Sequence, residues 1–259
     1  MPGNFWSGMT ITALLVFLLA GMAQADEPTP PSCSGTIVST VAGAAPKNLK
    51  LRADELFYGS CKPWSWKSGL TLAAIVYQTS DYDPEGDGRG FALMIAVLDS
   101  ASGRIIASTY RDASEDSGAK FADAPAVELD TARYDLAPGQ RAFGVRLNNG
   151  YGPRCADGSG DNYLTLYLLQ GHQLQAVFSD FAMKTSRIIK GDACGQDDPV
   201  WEEADFSLAL AKTTSHGLRD LHVSARSSVR HREFSCVLHF DGKQYRTEPF
   251  ESALGVLWR

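Results

Sequence analysis

The chain has 259 residues, of which 44% are hydrophobic, and its 24 basic and 30 acidic side chains give a net charge of −6 at pH 7. A mildly acidic chain without a basic stripe does not attract nucleic acid or anionic lipid, so we expect neither as a partner. The length admits one large β domain or two domains of about 100 residues each.

The N-terminal segment predicts export. Residues 1–25 carry no charged side chain, and 11–23 form an apolar run of thirteen, shorter than the about 18 residues that a membrane-spanning helix needs. Ala23 and Ala25 suit signal peptidase, although no Lys or Arg precedes the run. We therefore expect a signal peptide over 1–25, a periplasmic location and no membrane span in the remaining 234 residues. An uncleaved anchor is the alternative.

Beyond the signal peptide, residues 26–32 (DEPTPPS) contain three prolines and predict a mobile leader. Residues 33–259 then show apolar runs of strand length bounded by turn residues, which predict one β-rich domain. The runs at 70–78 and 91–99 are almost continuously apolar, as is typical of strands buried on both faces. The predicted strands are 70–78, 91–99, 105–110, 141–147, 162–170, 173–181, 206–213, 221–227, 234–240 and 244–248.

One stretch is ambiguous between helix and strand. Residues 201–212 contain many helix formers, but Phe206, Leu208 and Leu210 alternate with small or polar residues, which favours a strand. No segment predicts three turns of amphipathic helix. About a dozen strands joined mostly by hairpins predict an all-β fold, an antiparallel meander closed as a β-sandwich or barrel. The polar stretch 190–199 is a candidate subdivision of the domain.

Five cysteines follow the signal peptide, and an oxidising compartment favours their pairing. Five choices of the residue left over and three pairings of the others give fifteen connectivities, which sequence alone does not resolve. We expect disulfides Cys33–Cys61 and Cys155–Cys194, with Cys236 as a free thiol. In HREFSCVLHF, Cys236 alternates onto the apolar face of its predicted strand, where a thiol behaves as a small buried hydrophobe.

One block of the chain also resembles known sequences. Residues 129–146 (LDTARYDLAPGQRAFGVR), which follow AVLDSASGRIIAS and precede LYLLQGHQLQAVF, look like part of a group of exported bacterial proteins of unknown function. The resemblance covers about 51–245. It implies an envelope location in a Gram-negative bacterium and brings no catalytic residue with it.

The segment DYDPEGDGRG places carboxylates at positions 1, 3, 5 and 7 of a loop and glycine at position 6, as the calcium loop of an EF-hand does. The match is partial, because Arg89 stands at position 9 and Ala92 replaces the glutamate of position 12. Residues 157–162 (DGSGDN) repeat the alternation without that glutamate. The alternative is that these acidic residues form the polar tips of hairpins. The candidate calcium ligands are Asp81, Asp83, Glu85 and Asp87, and we expect no other cofactor.

A pair of tryptophans suggests a binding surface. Trp64 and Trp66 in KPWSWKSG share one face of an extended segment, which predicts a platform for a sugar ring or a partner protein. Lys62 and Lys67 flank the pair and favour a surface position. Packing of both rings in the core is the alternative.

The five histidines form no catalytic or zinc-binding motif. The chain has no CxxC, no HExxH and no closely spaced histidine pair, so zinc is not expected. His222 and His239 alternate with polar residues on their strands, so both are expected to face solvent. The alternative is a hydrolase whose site assembles only in the fold, around His222, Glu233 and His239.

These observations predict an exported protein that acts by binding and not by catalysis. The expected ligand is a partner protein, an envelope polymer, or a hydrolase that the protein inhibits in the manner of an inhibitor or immunity protein. The candidate binding surfaces are residues 62–67 and the acidic loops 81–87, 157–161 and 192–203. A calcium-stabilised structural module is a further alternative.

Overall fold

The structure is a computed structural model, and it describes residues 33–80, 90–114, 120–121, 125–151, 155–195, 198–248, 250 and 254–255. The side chains of 52–57, 120–121 and 149–151 are not part of the description. The predicted signal peptide, the leader and the candidate calcium ligands Asp81, Asp83, Glu85 and Asp87 therefore lie outside the described residues.

The first half of the described chain forms helix α1 and a four-stranded antiparallel sheet, called here the small sheet. Its elements are α1 (Gly35–Gly43), β1 (Leu51–Pro63), β2 (Leu70–Thr79), β3 (Phe91–Asp99) and β4 (Ile105–Asp112), with the strands in the order β1-β2-β3-β4. Strands β2 and β3 are buried at nearly every position, as their continuous apolar runs predict.

The second half forms a seven-stranded antiparallel sheet, called here the large sheet, and a two-stranded pair. Strands β5 (Lys120–Phe121) and β8 (Asn149–Tyr151) make the pair. The strand order of the large sheet is β13-β12-β11-β10-β9-β7-β6. Its strands are β6 (Val127–Ala137), β7 (Gln140–Leu147), β9 (Gly158–Gln170), β10 (Gln173–Lys190), β11 (Val200–Ser215), β12 (Leu218–Ser227) and β13 (Glu233–Leu238).

The two sheets pack face to face as a sandwich, so the predicted all-β antiparallel architecture is confirmed, although the sheets are not closed into a barrel. The core between them joins side chains of β2 and β3 to Val127, Phe143, Val145 and Tyr167 of the large sheet. The other face of the small sheet is covered by α1 through Val38 and Val41.

The large sheet has a second core on its opposite face, because it curves over itself. Tyr134 and Leu136 of β6 belong to the same buried cluster as Leu221 and Val223 of β12, although β6 and β12 are far apart in the strand order. Aromatic rings fill this second core: Phe178, Phe181, Phe206, Phe234, Tyr245 and Phe250.

The structure adds one helix that was not predicted, and it shortens one predicted strand. Helix α1 was not predicted, because GTIVSTVAG is rich in β-branched residues; it begins after Ser34, whose hydroxyl accepts a hydrogen bond from the N–H of Ile37 at 3.4 Å. The predicted strand 244–248 is reduced to one bridge between Phe240 and Tyr245. The candidate subdivision 190–199 joins β10 to β11, which pair directly, so it lies within one sheet. The ambiguous stretch 201–212 is strand, as predicted.

Both predicted disulfides are present, Cys33–Cys61 and Cys155–Cys194. The first ties Cys33, two residues before α1, to β1, and the second ties the segment just before β9 to the β10–β11 connection. Cys236 is free and half-buried against the aromatic core, and burial raises the pKa of its thiol.

Removing the first disulfide by the double substitution Cys33→Ser and Cys61→Ser is expected to lower the free energy of unfolding by about 3–4 kcal/mol. The bridge closes a segment with a sequence separation of 28 and holds α1 on the small sheet. Urea denaturation of the oxidised protein gives the measurement. The control Cys236→Ser is expected to change stability by less than about 1 kcal/mol, since no bridge is lost. Equal stability of the double variant and the wild type would contradict the prediction.

Candidate functional site

The predicted tryptophan platform is corrected by the structure. Trp64 is only 2% exposed and lies in the core between the sheets, where its ring meets Phe143 edge-on at 5.5 Å between centroids. Trp66 is half-buried against the same core, at 5.3 Å from Trp64. The alternative of core packing therefore holds for Trp64, and only Trp66 keeps an accessible part.

The two lysines of that segment have different environments. Lys62 is half-buried, and its ammonium donates a hydrogen bond to the carbonyl of Leu129 on the facing sheet. Burial lowers the pKa of Lys62, against the opposing effect of nearby carboxylates. Lys67 is exposed. Lys62 therefore links the two sheets and does not extend freely into solvent.

Two of the three predicted acidic loops meet at one end of the large sheet. The disulfide Cys155–Cys194 joins the segment that carries Asp157 and Asp161 to the segment that carries Asp192. The N–H of Ile188 donates to the carbonyl of Asp157 at 2.8 Å, which aligns the two segments further. Among the residues that the structure describes, no group of three or more His, Cys, Asp or Glu is placed to hold a metal ion.

A serine, a histidine and an aspartate come together near the β11–β12 turn. Asp220 is 1% exposed; its Oδ2 lies 3.1 Å from Nδ1 of His239, and the hydroxyl of Ser215 lies 3.3 Å from that same nitrogen. A Ser-His-Asp triad needs the serine and the aspartate on opposite ring nitrogens, so that the proton passes through the imidazole. This cluster lacks that arrangement.

Asp220 was missed in the sequence because nothing near it suggests burial of a charge. Burial by itself would raise the pKa of this carboxyl, but hydrogen bonds from Thr213, Ser215 and His239 outweigh burial and lower the pKa. The cluster therefore stabilises the ionised carboxylate where β11 and β12 fall out of register, between Leu210 and Thr214.

The three residues of the hydrolase alternative do not converge. A ring nitrogen of His222 lies 2.7 Å from the hydroxyl of Ser235. Glu233 stands opposite Arg226, whereas His222 stands opposite Val237, four residues further along β13. At about 3.3 Å per residue, that offset places their backbones about 13 Å apart along the strand.

A polar surface continues the sheet face that packs on the small sheet. Tyr163 and Tyr167 of β9 point from this face into the core between the sheets. The earlier part of β10 contacts β4 of the small sheet through the ion pair of Asp180 with Arg111. Further along the sheet, side chains of β10 to β13 such as Lys184, Arg226 and Glu233 are exposed or half-buried on the same face. On β11, the residues of this face are exposed and alternate with buried residues of the opposite face; the exposed ones are Trp201, Glu203, Asp205 and Ser207. We call this surface, from Asp161 to β13, the open face.

Strand register sets two polar rows across the open face. Directly opposed residues on five successive strands alternate in charge, and we call them the charge row: Asp161, Lys184, Asp205, Arg226 and Glu233. The next row on β11, β12 and β13 holds only serines, and we call it the serine row: Ser207, Ser224 and Ser235.

Three charged side chains of the charge row form no ion pair within the described part of the chain. Within the described part of the chain, Asp205, Arg226 and Glu233 are exposed and take part in no ion pair within 4.0 Å. Lys184 pairs instead with Glu203 at 3.1 Å, and this contact is the largest cause of the raised pKa of Lys184. The charged groups of Asp205, Arg226 and Glu233 therefore remain available to hydrogen-bond a ligand.

Two shallow depressions lie in the open face. The larger, about 520 Å³, includes Asp205, His222, Arg226 and Glu233 in its lining, together with all of the serine row. The smaller, about 190 Å³, is lined by Ser159, Asp161, Lys184, Thr185, Ser186 and Glu203. The indole of Trp201 is 39% exposed at one end of the face and lies opposite Ile188.

Comparison with known proteins returned no match: no family model, no curated protein and no solved structure matches the chain. The resemblance to exported bacterial proteins therefore stays a prediction. A search of the described residues for a helix long and apolar enough to cross a membrane found none. The two disulfides are compatible with an oxidising location outside the cytoplasm.

Proposed function

We propose that this is an exported binding protein whose ligand lies on the open face. The observation that carries the proposal is the charge row, in which Asp205, Arg226 and Glu233 stand side by side on paired strands without ion pairs among them. Side chains on strands are held more rigidly than side chains on loops, so a ligand meets preset positions. Export is supported by the signal-like residues 1–25 and the two disulfides.

Binding fits the geometry of the open face better than hydrolysis does. His222 contacts a serine hydroxyl, but Glu233 is offset from it by four residues, and the His239 cluster uses one ring nitrogen for two partners. Shallow depressions lined by Ser, Asp, Glu, Arg and His offer many hydrogen bonds and little enclosure. Such a surface suits recognition of an extended ligand.

The test is affinity capture from envelope extracts with the mature protein at moderate salt. Arg226→Glu reverses the cation between Asp205 and Glu233 and places three carboxylates on adjacent strands. It is expected to reduce the captured material at least about tenfold, since like charges repel and the arginine donors are lost. Thermal melting checks that the variant is folded.

Arg104→Glu is the matched control, because Arg104 is exposed before β4 on the small sheet and undergoes the same charge change. It is expected to capture as much as the wild type. Retention of the same material by Arg226→Glu and the wild type would remove the open face as the binding site.

A further inference from the structure

We propose that the ligand of the open face is an uncharged, hydroxyl-rich glycan strand that stacks one sugar on Trp201 and hydrogen-bonds across the charge row and the serine row. This inference rests on the proposed function and names the chemical class of its ligand. Three features favour such a ligand: the signs of the charges, the exposed ring of Trp201 on this face, and the size of the face.

The alternation of charge disfavours a highly charged ligand. A polyanion meets three carboxylates in the charge row, and a polycation meets Lys184 and Arg226. Neighbouring strands lie about 4.8 Å apart, which is less than the screening length of about 8 Å at physiological salt. A ligand therefore meets the fields of opposite charges together, and these fields largely cancel. The face therefore has little net field to attract a polymer of either sign.

A hydroxyl group suits every position of the two rows. It donates to the carboxylates of Asp205 and Glu233, accepts from the guanidinium of Arg226, and does either with a serine hydroxyl. A chain of sugars carries such groups at short intervals. It therefore satisfies donors and acceptors of alternating type without a charge mismatch.

Trp201 supplies the apolar contact that a sugar ring needs. Its indole is 39% exposed and shares the outward side of β11 with Glu203 and Asp205. At about 3.3 Å per residue, the ring lies about 13 Å along the strand from the charge row. A flat aromatic surface at one end and polar rows at the other match a ligand several sugars long.

The size of the face favours a strand over a folded partner. Five strands at about 4.8 Å and the nine residues from Trp201 to Ala209, which lies opposite His222, at about 3.3 Å give about 20 Å by 26 Å, or about 500 Å². A stable protein interface takes about 800 Å² from each partner. A single extended polymer is covered well by the smaller area.

Isothermal titration with six-sugar oligomers of glucose, galactose, mannose and N-acetylglucosamine tests the inference, with heparin and polylysine as charged probes. We expect at least one neutral oligomer to bind with an affinity that changes little between low and moderate salt. Trp201→Ala is expected to weaken that binding at least about tenfold. Tyr110→Ala, which removes another exposed ring on β4, is expected to leave it unchanged.

Three results separate the failure of the inference from the failure of the proposed function. If Arg226→Glu abolishes capture but the captured material is a protein or a charged polymer, the glycan inference is overturned and the open face stands as the binding site. If a neutral oligomer binds equally well to Trp201→Ala, the role of the indole is overturned. If capture does not depend on Arg226 at all, the proposed function itself fails.

Discussion

Trp64→Ala is expected to lower the free energy of unfolding by about 3–5 kcal/mol, the range for truncation of a large aromatic residue in a core. The ring is 2% exposed and packs against Phe143 and Trp66 between the two sheets. Its removal leaves a cavity at the place where the sheets are held together. Urea denaturation of the oxidised protein measures the loss.

Trp201→Ala is the matched control, since it makes the same truncation at a ring that is 39% exposed. It is expected to cost less than about 1 kcal/mol. The two tryptophans thus separate stability from binding: truncation of Trp64 destabilises the fold, and truncation of Trp201 leaves the stability nearly unchanged but weakens binding. A loss below about 1 kcal/mol for Trp64→Ala would contradict the packing of the two sheets.

Arg230→Met is expected to cost about 3–5 kcal/mol, because it leaves the buried carboxylate of Glu202 without its countercharge. The Glu202 side chain is 0% exposed, and its Oε2 accepts from Nε and Nη2 of Arg230 at 2.7 and 2.5 Å. The backbone N–H of Arg230 donates to the other carboxylate oxygen of Glu202, Oε1, at 2.8 Å. Urea denaturation at neutral pH measures the loss.

The double variant Glu202→Gln with Arg230→Met is expected to be more stable than Arg230→Met alone, since the buried charge is then absent. Lys184→Met is the control: it breaks the exposed pair with Glu203, whose contribution is at most about 1 kcal/mol. A double variant as unstable as the sum of both single losses would show that the two residues do not act as a pair.

Acid stability depends on the same pair. Burial would raise the pKa of Glu202, but the hydrogen bonds from Arg230 and Ser227 outweigh it and lower the pKa from 4.5 to about 2. The folded state therefore binds the proton more weakly than the unfolded chain. The contribution is complete above about pH 4.5 and is lost as the pH falls toward 2. In Arg230→Met this acid-dependent loss is expected to shrink, because the strongest interaction that lowers the pKa is gone.

Most strands were predictable because burial on a sheet imposes its period on the sequence, but β1 and β6 were not among the predicted strands. The runs at 70–78 and 91–99 became β2 and β3, buried on both faces, and the alternation of Phe206, Leu208 and Leu210 correctly separated strand from helix. The two disulfides agreed with expectation, although fifteen connectivities fitted the sequence equally well.

The sequence did not predict structure or burial where contacts between distant residues determine them. Helix α1 forms from β-branched residues because it packs on the small sheet and is tied there by Cys33. Trp64 was expected at the surface because lysines flank it, yet the ammonium of Lys62 reaches across to the facing sheet. The flanking charges therefore led to the wrong prediction that Trp64 is exposed.

The open face could not be found from the sequence because strand register creates it. Asp161, Lys184, Asp205, Arg226 and Glu233 are spread over more than seventy residues and share no motif. A shift of one residue in any strand would turn that strand's member of the row to the other face. Only the observed pairing aligns them.

Hydroxyl-radical footprinting of the mature protein, with and without envelope extract, tests the central claim most directly. Side chains on the open face are expected to lose reactivity in the extract, above all Trp201 and His222, while exposed Tyr110 and His172 keep theirs. Arg226→Glu is expected to abolish that protection. Unchanged reactivity of Trp201 and His222, together with protection of Tyr110 or His172, would contradict the account and move the binding surface elsewhere.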